Sequence, residues 1–165
     1  MKSKQQKIAE VDESKKLLKD AGSLVFVDFS KTSTKFIDQL KKLLGDNGVF
    51  KIIKKRLLNL VLKDKNIPLD AKALGLQVGT VFGKGDVSQT AGLVWRFFKG
   101  KEKELPEFKM LAGFDLSSAT LFDAVQIKRI GQLPPREILL AQLLGMLQAP
   151  VRSLAYTLSE VAKKK

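Results

Sequence analysis

SLVFVDFSKTSTKFIDQLKKLLGDNGVFKIIKKRLLNLVLK, residues Ser23–Lys63, is the stretch that decides the fold class. Its first seven residues, Ser23–Phe29, form a β-rich run that predicts a buried strand. The polar loop Ser30–Thr34 follows, where Ser33 or Thr34 can cap a helix. That helix, Lys35 to Asp46, turns Phe36, Ile37, Leu40, Leu43 and Leu44 inward, and Asn47-Gly48 ends it. VFKIIKK (Val49–Lys55) reads as a second strand. Its alternating phase buries Phe50 and Ile52, with Ile53 as a further candidate, and leaves Lys51 and Lys55 pointing away from the core. Arg56 to Lys65 then predicts a short helix. Strand, helix and strand in succession suggest a βαβ-type unit.

Working outward, Lys4–Ala21 is an amphipathic helix stopped by Gly22. Pro68–Leu74 predicts another short helix, and Leu76–Phe82 a third strand closed by Gly83-Lys84-Gly85. Asp86 caps a helix running through Phe98, and Lys99–Glu104 is a charged turn. Glu107–Phe114 predicts a fourth strand. Ser117 or Ser118 begins a helix to about Ile130, and Gly131 with Leu133-Pro134-Pro135 forms a hinge. The expected architecture is α/β (α+β): a compact layer domain over residues 1–132, then a hinge and long helix over 133–165.

The terminal segment, LPPREILLAQLLGMLQAPVRSLAYTLSEVAKKK, carries more apolar surface than its length requires. Leu140, Leu144, Leu147, Val151, Leu154, Leu158 and Val161 recur at alternating spacings of four and three, a heptad-like seam along one side of a helix. Leu139, Leu143 and Met146 widen its first half. A helix from Pro135 to Ala162 spans roughly 40 Å, about the diameter of the preceding globule, and so can project beyond it. The seam could pack on its own body, pair with a second copy, lie on a membrane or dock helices of another protein. Pairing in a coiled coil usually brings flanking charges, and Glu137, Arg152 and Glu160 are few. A membrane-surface helix usually has a basic opposite face; here that face is Gln142, Gly145, Gln148, Arg152, Ser153 and Ser159. Another protein's helices are the principal reading. Pro150 removes the hydrogen bond to Met146 and predicts a kink, dividing the seam into blocks Ile138–Gln148 and Val151–Ala162.

Thirty Lys and Arg against 17 Asp and Glu give a net charge of +13, which points to polyanions and to nucleic acid first among them. No run approaches eighteen consecutive apolar residues, so a transmembrane span is expected to be excluded. The charged N-terminus lacks a signal-peptide core, so a cytoplasmic protein is expected. The absence of Cys and His removes disulfides, thiol nucleophiles, zinc-finger ligands and the usual neutral-pH base. A carboxylate or lysine enzyme is left open by this composition but would need an identifiable cleft motif, and none appears; no cofactor, metal or small-molecule substrate is expected. Gly83-Lys84-Gly85-Asp86 lacks both the Walker spacing and a three-glycine fingerprint, so it reads as a turn. Asp28 with the hydroxyls of Ser30–Thr34 reads as loop capping. Trp95, Phe97 and Phe98 read as core or shoulder residues, with base stacking by one of them the minor alternative.

The densest basic patch is Lys51, Lys54, Lys55 and Arg56, beside the start of a helix whose amides add phosphate donors. Lys31 and Lys35, with Lys41 and Lys42, can lie on the neighbouring edge. No base-reading motif accompanies them, so RNA would be held through its backbone and shape.

Leu133-Pro134-Pro135-Arg136-Glu137 and the following LLAQLLGMLQAP resemble, almost position for position, the signature of the bacterial large-subunit ribosomal protein L-ten family. VFVDFSKTSTKFIDQLKKLLGDNGVFKIIKKRLL is similar to that family's N-terminal half more loosely, and the resemblance spans nearly the whole chain. The family's Arg-Gly-Leu-Thr loop is Ser30-Lys31-Thr32-Ser33 here, and its Lys-Asn-Thr-Leu run is Lys54-Lys55-Arg56-Leu57. The resemblance implies a non-enzymatic, structural constituent of the large subunit, bound to rRNA at the stalk base beside ribosomal protein L-eleven. By that likeness the Lys31–Ser33 loop and the Lys54–Arg56 run meet rRNA. The terminal helix would anchor dimers of the acidic stalk protein (L-seven/L-twelve), which recruit translational GTPases. Relatives with a longer helix carry three dimers; two blocks here imply two. A free nucleic-acid-binding regulator with a self-dimerising C-terminal helix is the alternative.

Overall fold

The computed structural model describes residues 4–30, 32–64, 77–101 and 108–163, together with Ile67, Leu69 and Leu74. The chain divides into two compact units, Met1–Leu133 and Pro134–Lys165.

In the first unit, strand β1 (Ser23–Asp28) has five consecutive buried residues because it lies in the middle of a sheet covered on both faces. Helix α1 (Lys4–Asp20) precedes it. Helix α2 (Thr34–Leu44), a 3-10 turn (Gly45–Asn47), strand β2 (Gly48–Lys51) and helix α3 (Lys55–Lys63) follow. Then come β3 (Val78–Gly83), α4 (Val87–Gly100), β4 (Lys109–Asp115), β5 (Thr120–Asp123) and α5 (Ala124–Gln132).

The sheet order is β2-β3-β1-β4-β5, and every neighbouring pair is antiparallel. The expected βαβ unit is therefore present in split form. β1 and β2 run the same way, but β3 lies between them; β3 and β4 repeat the relation around β1. These are two interlocked split β-α-β units, as in ferredoxin-like sheets.

Alternation sends one set of side chains to each face. Val25, Val27, Phe50, Val81 and Met110 pack under α2, α4 and α5 through Leu40, Leu44, Ala91, Val94, Phe97 and Ile127. Leu24, Phe26, Val78, Phe82 and Phe114 pack under α1 and α3 through Leu18, Leu58, Val61 and Leu62. The β1–β4 register shifts between Phe26 and Val27, a bulge at Leu111 that lets Met110 and Ala112 serve opposite faces. Helix α1 is tied down by Lys15 to Asp64 at 2.6 Å, just past the end of α3.

Several expectations are corrected. No helix begins at Ser117: residues 116–119 are a turn in which the Asp115 carboxylate accepts from Ser117 N–H (2.9 Å) and Ser118 Oγ (2.8 Å). Thr120, Leu121 and Phe122, β-branched or bulky, return along β4 as β5. The helix starts only after Asp123, whose side chain forms a reciprocal capping box with Gln126. Gly131 belongs to this helix rather than to the hinge. A Cβ there would stand 2.9 Å from the Ala91 carbonyl oxygen, so glycine sets how closely α5 crosses α4. The second strand stops at Lys51, and the burial phase changes after it: Ile52 is exposed and Ile53 is buried. The expected Pro68–Leu74 helix and most of the Lys99–Glu104 turn lie outside the described residues.

In the second unit, the Pro135 carbonyl accepts from Ile138 N–H (2.9 Å) and Leu139 N–H (3.1 Å), starting helix α6 (Arg136–Lys163). Its 28 residues span about 42 Å at 1.5 Å each. The helix continues through Pro150, and none of its described residues is buried.

Candidate RNA-binding end and helix-docking surface

The parallel relation of β1 and β2 has a geometric consequence. Asp28 registers with Val78 and Lys51 with Thr80, so both strands finish at the end of the sheet where β3 begins. The chain leaves β1 into α2 on one face and leaves β2 into α3 on the other. Both helices thus turn their N-termini, the positive ends of their dipoles, toward the same end.

Ser33 occupies the N-cap position of α2, but its side chain makes no capping bond; only its carbonyl accepts, from Phe36 (3.1 Å) and Ile37 (3.4 Å). The hydroxyl expected to cap is exposed, as is Lys35 in the first turn. Lys54 occupies the N-cap position of α3, again without a side-chain cap, and its carbonyl accepts from Leu57 and Leu58 at 2.8 and 2.9 Å. Lys54 and Arg56 are exposed and Lys55 is half-buried. Lys31 lies outside the described residues. The loop between β1 and α2 is braced by Asp28, whose carboxylate accepts from Ser30 N–H (3.0 Å) and Ser30 Oγ (2.6 Å).

Lys51 stands apart from its neighbours. It points to the face covered by α1, and its Nζ meets the Glu13 carboxylate at 2.5 Å with the lysine side chain only 19% exposed. The hydrogen bond from Lys51, and then its charge, hold the Glu13 carboxyl below its ordinary 4.5 against a smaller opposing effect of burial. Lys51 is thereby engaged inside the fold. Sequence reasoning also passed over Lys109, which opens β4 opposite Asp28 at this same end and is exposed. Only a β1–β4 pairing could have revealed it.

The opposite end of the sheet is closed. Ser23 Oγ donates to the Gly85 carbonyl (2.8 Å) and lies 2.8 Å from Thr90 Oγ1; Lys84 N–H donates to Asn47 (3.0 Å). Gln89 covers Gly85. Gly83–Asp86 is thus a tied turn, with Asp86 at the N-cap position of α4 and no side-chain capping bond.

On α6 the seven seam residues are each 55–75% exposed. The polar side satisfies itself: Arg152 Nη2 donates to Gln148 (2.7 Å), Lys163 pairs with Glu160 (3.0 Å), and Thr157 and Ser159 hydroxyls donate to the Ser153 and Tyr156 carbonyls. What is left unpartnered within the helix is its apolar seam; Tyr156, 68% exposed, stands on the opposite face, one turn on from Arg152. By length and composition alone this helix could cross a membrane, with mean hydropathy 1.4 over eighteen residues. The expected exclusion of a transmembrane span is therefore corrected: an apolar stretch interrupted by a few polar residues reaches that hydropathy without an unbroken run.

Comparison with known proteins settles what this helix belongs to. The profile for Ribosomal protein L10 matches residues 2–99, and that for the Ribosomal protein uL10 C-terminal region matches residues 133–165. The chain belongs to the ribosomal protein L10 family. Among its relatives named Large ribosomal subunit protein uL10, that of Shouchella clausii is 31% identical, covering 100% of this chain and 95% of the relative. That of Clostridioides difficile is 30% identical over 93% and 89%, and that of Thermotoga petrophila 29% over 99% and 92%. As an L10-family member the chain is a structural, non-enzymatic constituent of the large ribosomal subunit, within the ribonucleoprotein that carries out translation. The α6 seam lies wholly inside the uL10 C-terminal region.

Proposed function

We propose that the chain binds rRNA at the stalk base through the α2/α3 end of its sheet, and anchors two dimers of the acidic stalk protein on α6. Ser33, Lys35, Lys54, Lys55 and Arg56, with Lys31, hold rRNA phosphates, and two helix dipoles reinforce them. Lys51 contributes chiefly to the fold, since Glu13 already neutralises it. Leu140, Leu144 and Leu147 form the proximal docking block; Val151, Leu154, Leu158 and Val161 form the distal one. The functional division falls between residues 1–132 and 133–165. In the cytoplasm the protein acts on the ribosome, with ribosomal protein L-eleven as its neighbour.

The observation that carries this reading is the exposure of every seam residue along a helix whose polar side is internally satisfied. Apolar packing then holds an acidic partner while the basic body holds RNA, so the two activities separate. The test is a crossed pair of variants, Leu154→Asp and Lys54→Gln/Arg56→Gln, each assayed for rRNA-fragment binding and for stalk-protein binding. Each should lose only its own partner. If Leu154→Asp weakened RNA binding as much as stalk binding, the division would be wrong. Self-association of the isolated chain through α6, seen by sedimentation and unaffected by an acidic partner, would instead favour a free regulator.

A further inference from the structure

We infer that the groove between α4, α5 and the start of β4 is a second protein-docking site, shaped for an acidic amphipathic helix. The groove holds about 450 Å³. Trp95, Phe98, Phe108 and Val125 are in its apolar lining, and the charged side chains in that lining are Lys109 and Lys128. Val125 is 63% exposed although it lies in the first turn of a helix packed on the core, so its part of the lining faces solvent. An open apolar trough between helices accepts the face of another helix more readily than an enclosed small molecule.

Charge selects the occupant. Both cations at the rim are exposed, and no carboxylate lines the groove among the described residues. A second copy of this chain, at +13, is repelled, whereas a helix with Glu or Asp flanking its apolar stripe is attracted. Stacking of an RNA base is disfavoured because the Trp95 ring is already engaged. The Lys128 ammonium lies 5.5 Å from its centroid, and Phe98 is tilted against it with centroids 5.5 Å apart.

Trp95 is the chain's single tryptophan, so its fluorescence reports on this groove. The probe is a synthetic peptide of about sixteen residues with Leu at i and i+4 spacing on one face and Glu elsewhere. Its Lys counterpart and a short oligouridylate are the comparison arms. The full-length protein should show a saturable blue shift with the acidic peptide alone. Lys109→Glu/Lys128→Glu should weaken it at least about tenfold, and Val125→Asp should weaken it too. Both variants change exposed positions, so their melting temperatures should match the parent's. Leu144→Asp/Leu154→Asp on α6 should leave the affinity within about twofold. A shift produced by the oligouridylate but not the peptide, equal response to the Lys peptide, indifference to the charge reversal, or loss of the response in the α6 variant would each overturn the inference.

Discussion

Replacing Lys54, Lys55 and Arg56 together by Gln removes three cations from the α2/α3 end while keeping long side-chain stems. Each phosphate contact contributes roughly 0.7–0.9 to the slope of log affinity against log salt. Loss of three should therefore flatten that slope by about 2–3, and between 50 and 200 mM salt the variant should lose about 20- to 40-fold less affinity than the parent. Lys51→Gln is the internal comparison. Its ammonium already sits against Glu13 at 2.5 Å, so the change should move the slope by less than about one and lower the melting temperature instead. Filter binding of an rRNA fragment from the stalk base at four or five salt concentrations gives both slopes. An unchanged slope in the triple variant, or a larger change from Lys51→Gln, would refute the assignment of phosphates to this end.

Three further outcomes follow from the geometry. The Glu13 carboxyl is held below 4.5 in the folded state, so its pairing with Lys51 stabilises the fold fully above that value and progressively less as pH falls through the lowered one; Glu13→Gln should flatten the acid limb of a melting-temperature profile. Gly131→Ala places a Cβ 2.9 Å from the Ala91 carbonyl oxygen, which should cost about 1–3 kcal/mol in a denaturant titration as α5 is pushed off α4. Pro150→Ala restores the hydrogen bond to Met146 and removes a residue about 3 kcal/mol worse than Ala inside a helix; amide exchange at Val151–Leu154 should slow.

Where local pattern alone carries the information, sequence and structure agree. The apolar run Leu24–Val27 is a buried strand, and the Leu140–Val161 seam is one face of a helix. Partnerships across the chain were not legible. Nothing near Lys51 announces that Glu13, on α1, will neutralise it, because their meeting depends on α1 covering one face of a sheet whose order places β3 between β1 and β2. The same topology brings Lys109 beside the end of β1 from a site far along the chain. Thr120–Asp123 is obscured in the sequence because Ser117-Ser118 makes an attractive helix start, although Asp123-x-x-Gln126 carries the fuller capping signal five residues after Ser118. Gly131 beside two prolines suggested a hinge, while its role, close approach to Ala91, is invisible without α4.

The division of labour between the basic sheet end and the exposed seam rests most directly on how many acidic dimers α6 carries. Native mass spectrometry of the full-length chain with the acidic stalk protein should give one chain with two dimers. Leu154 is 63% exposed on the distal block. Seating it against a partner is worth roughly 1–2 kcal/mol, and an aspartate there also buries a charge without a partner. Leu154→Asp should therefore give one chain with a single dimer, while rRNA binding is unchanged. Both dimers retained by that variant, or one dimer or three on the parent chain, would contradict the two-block account.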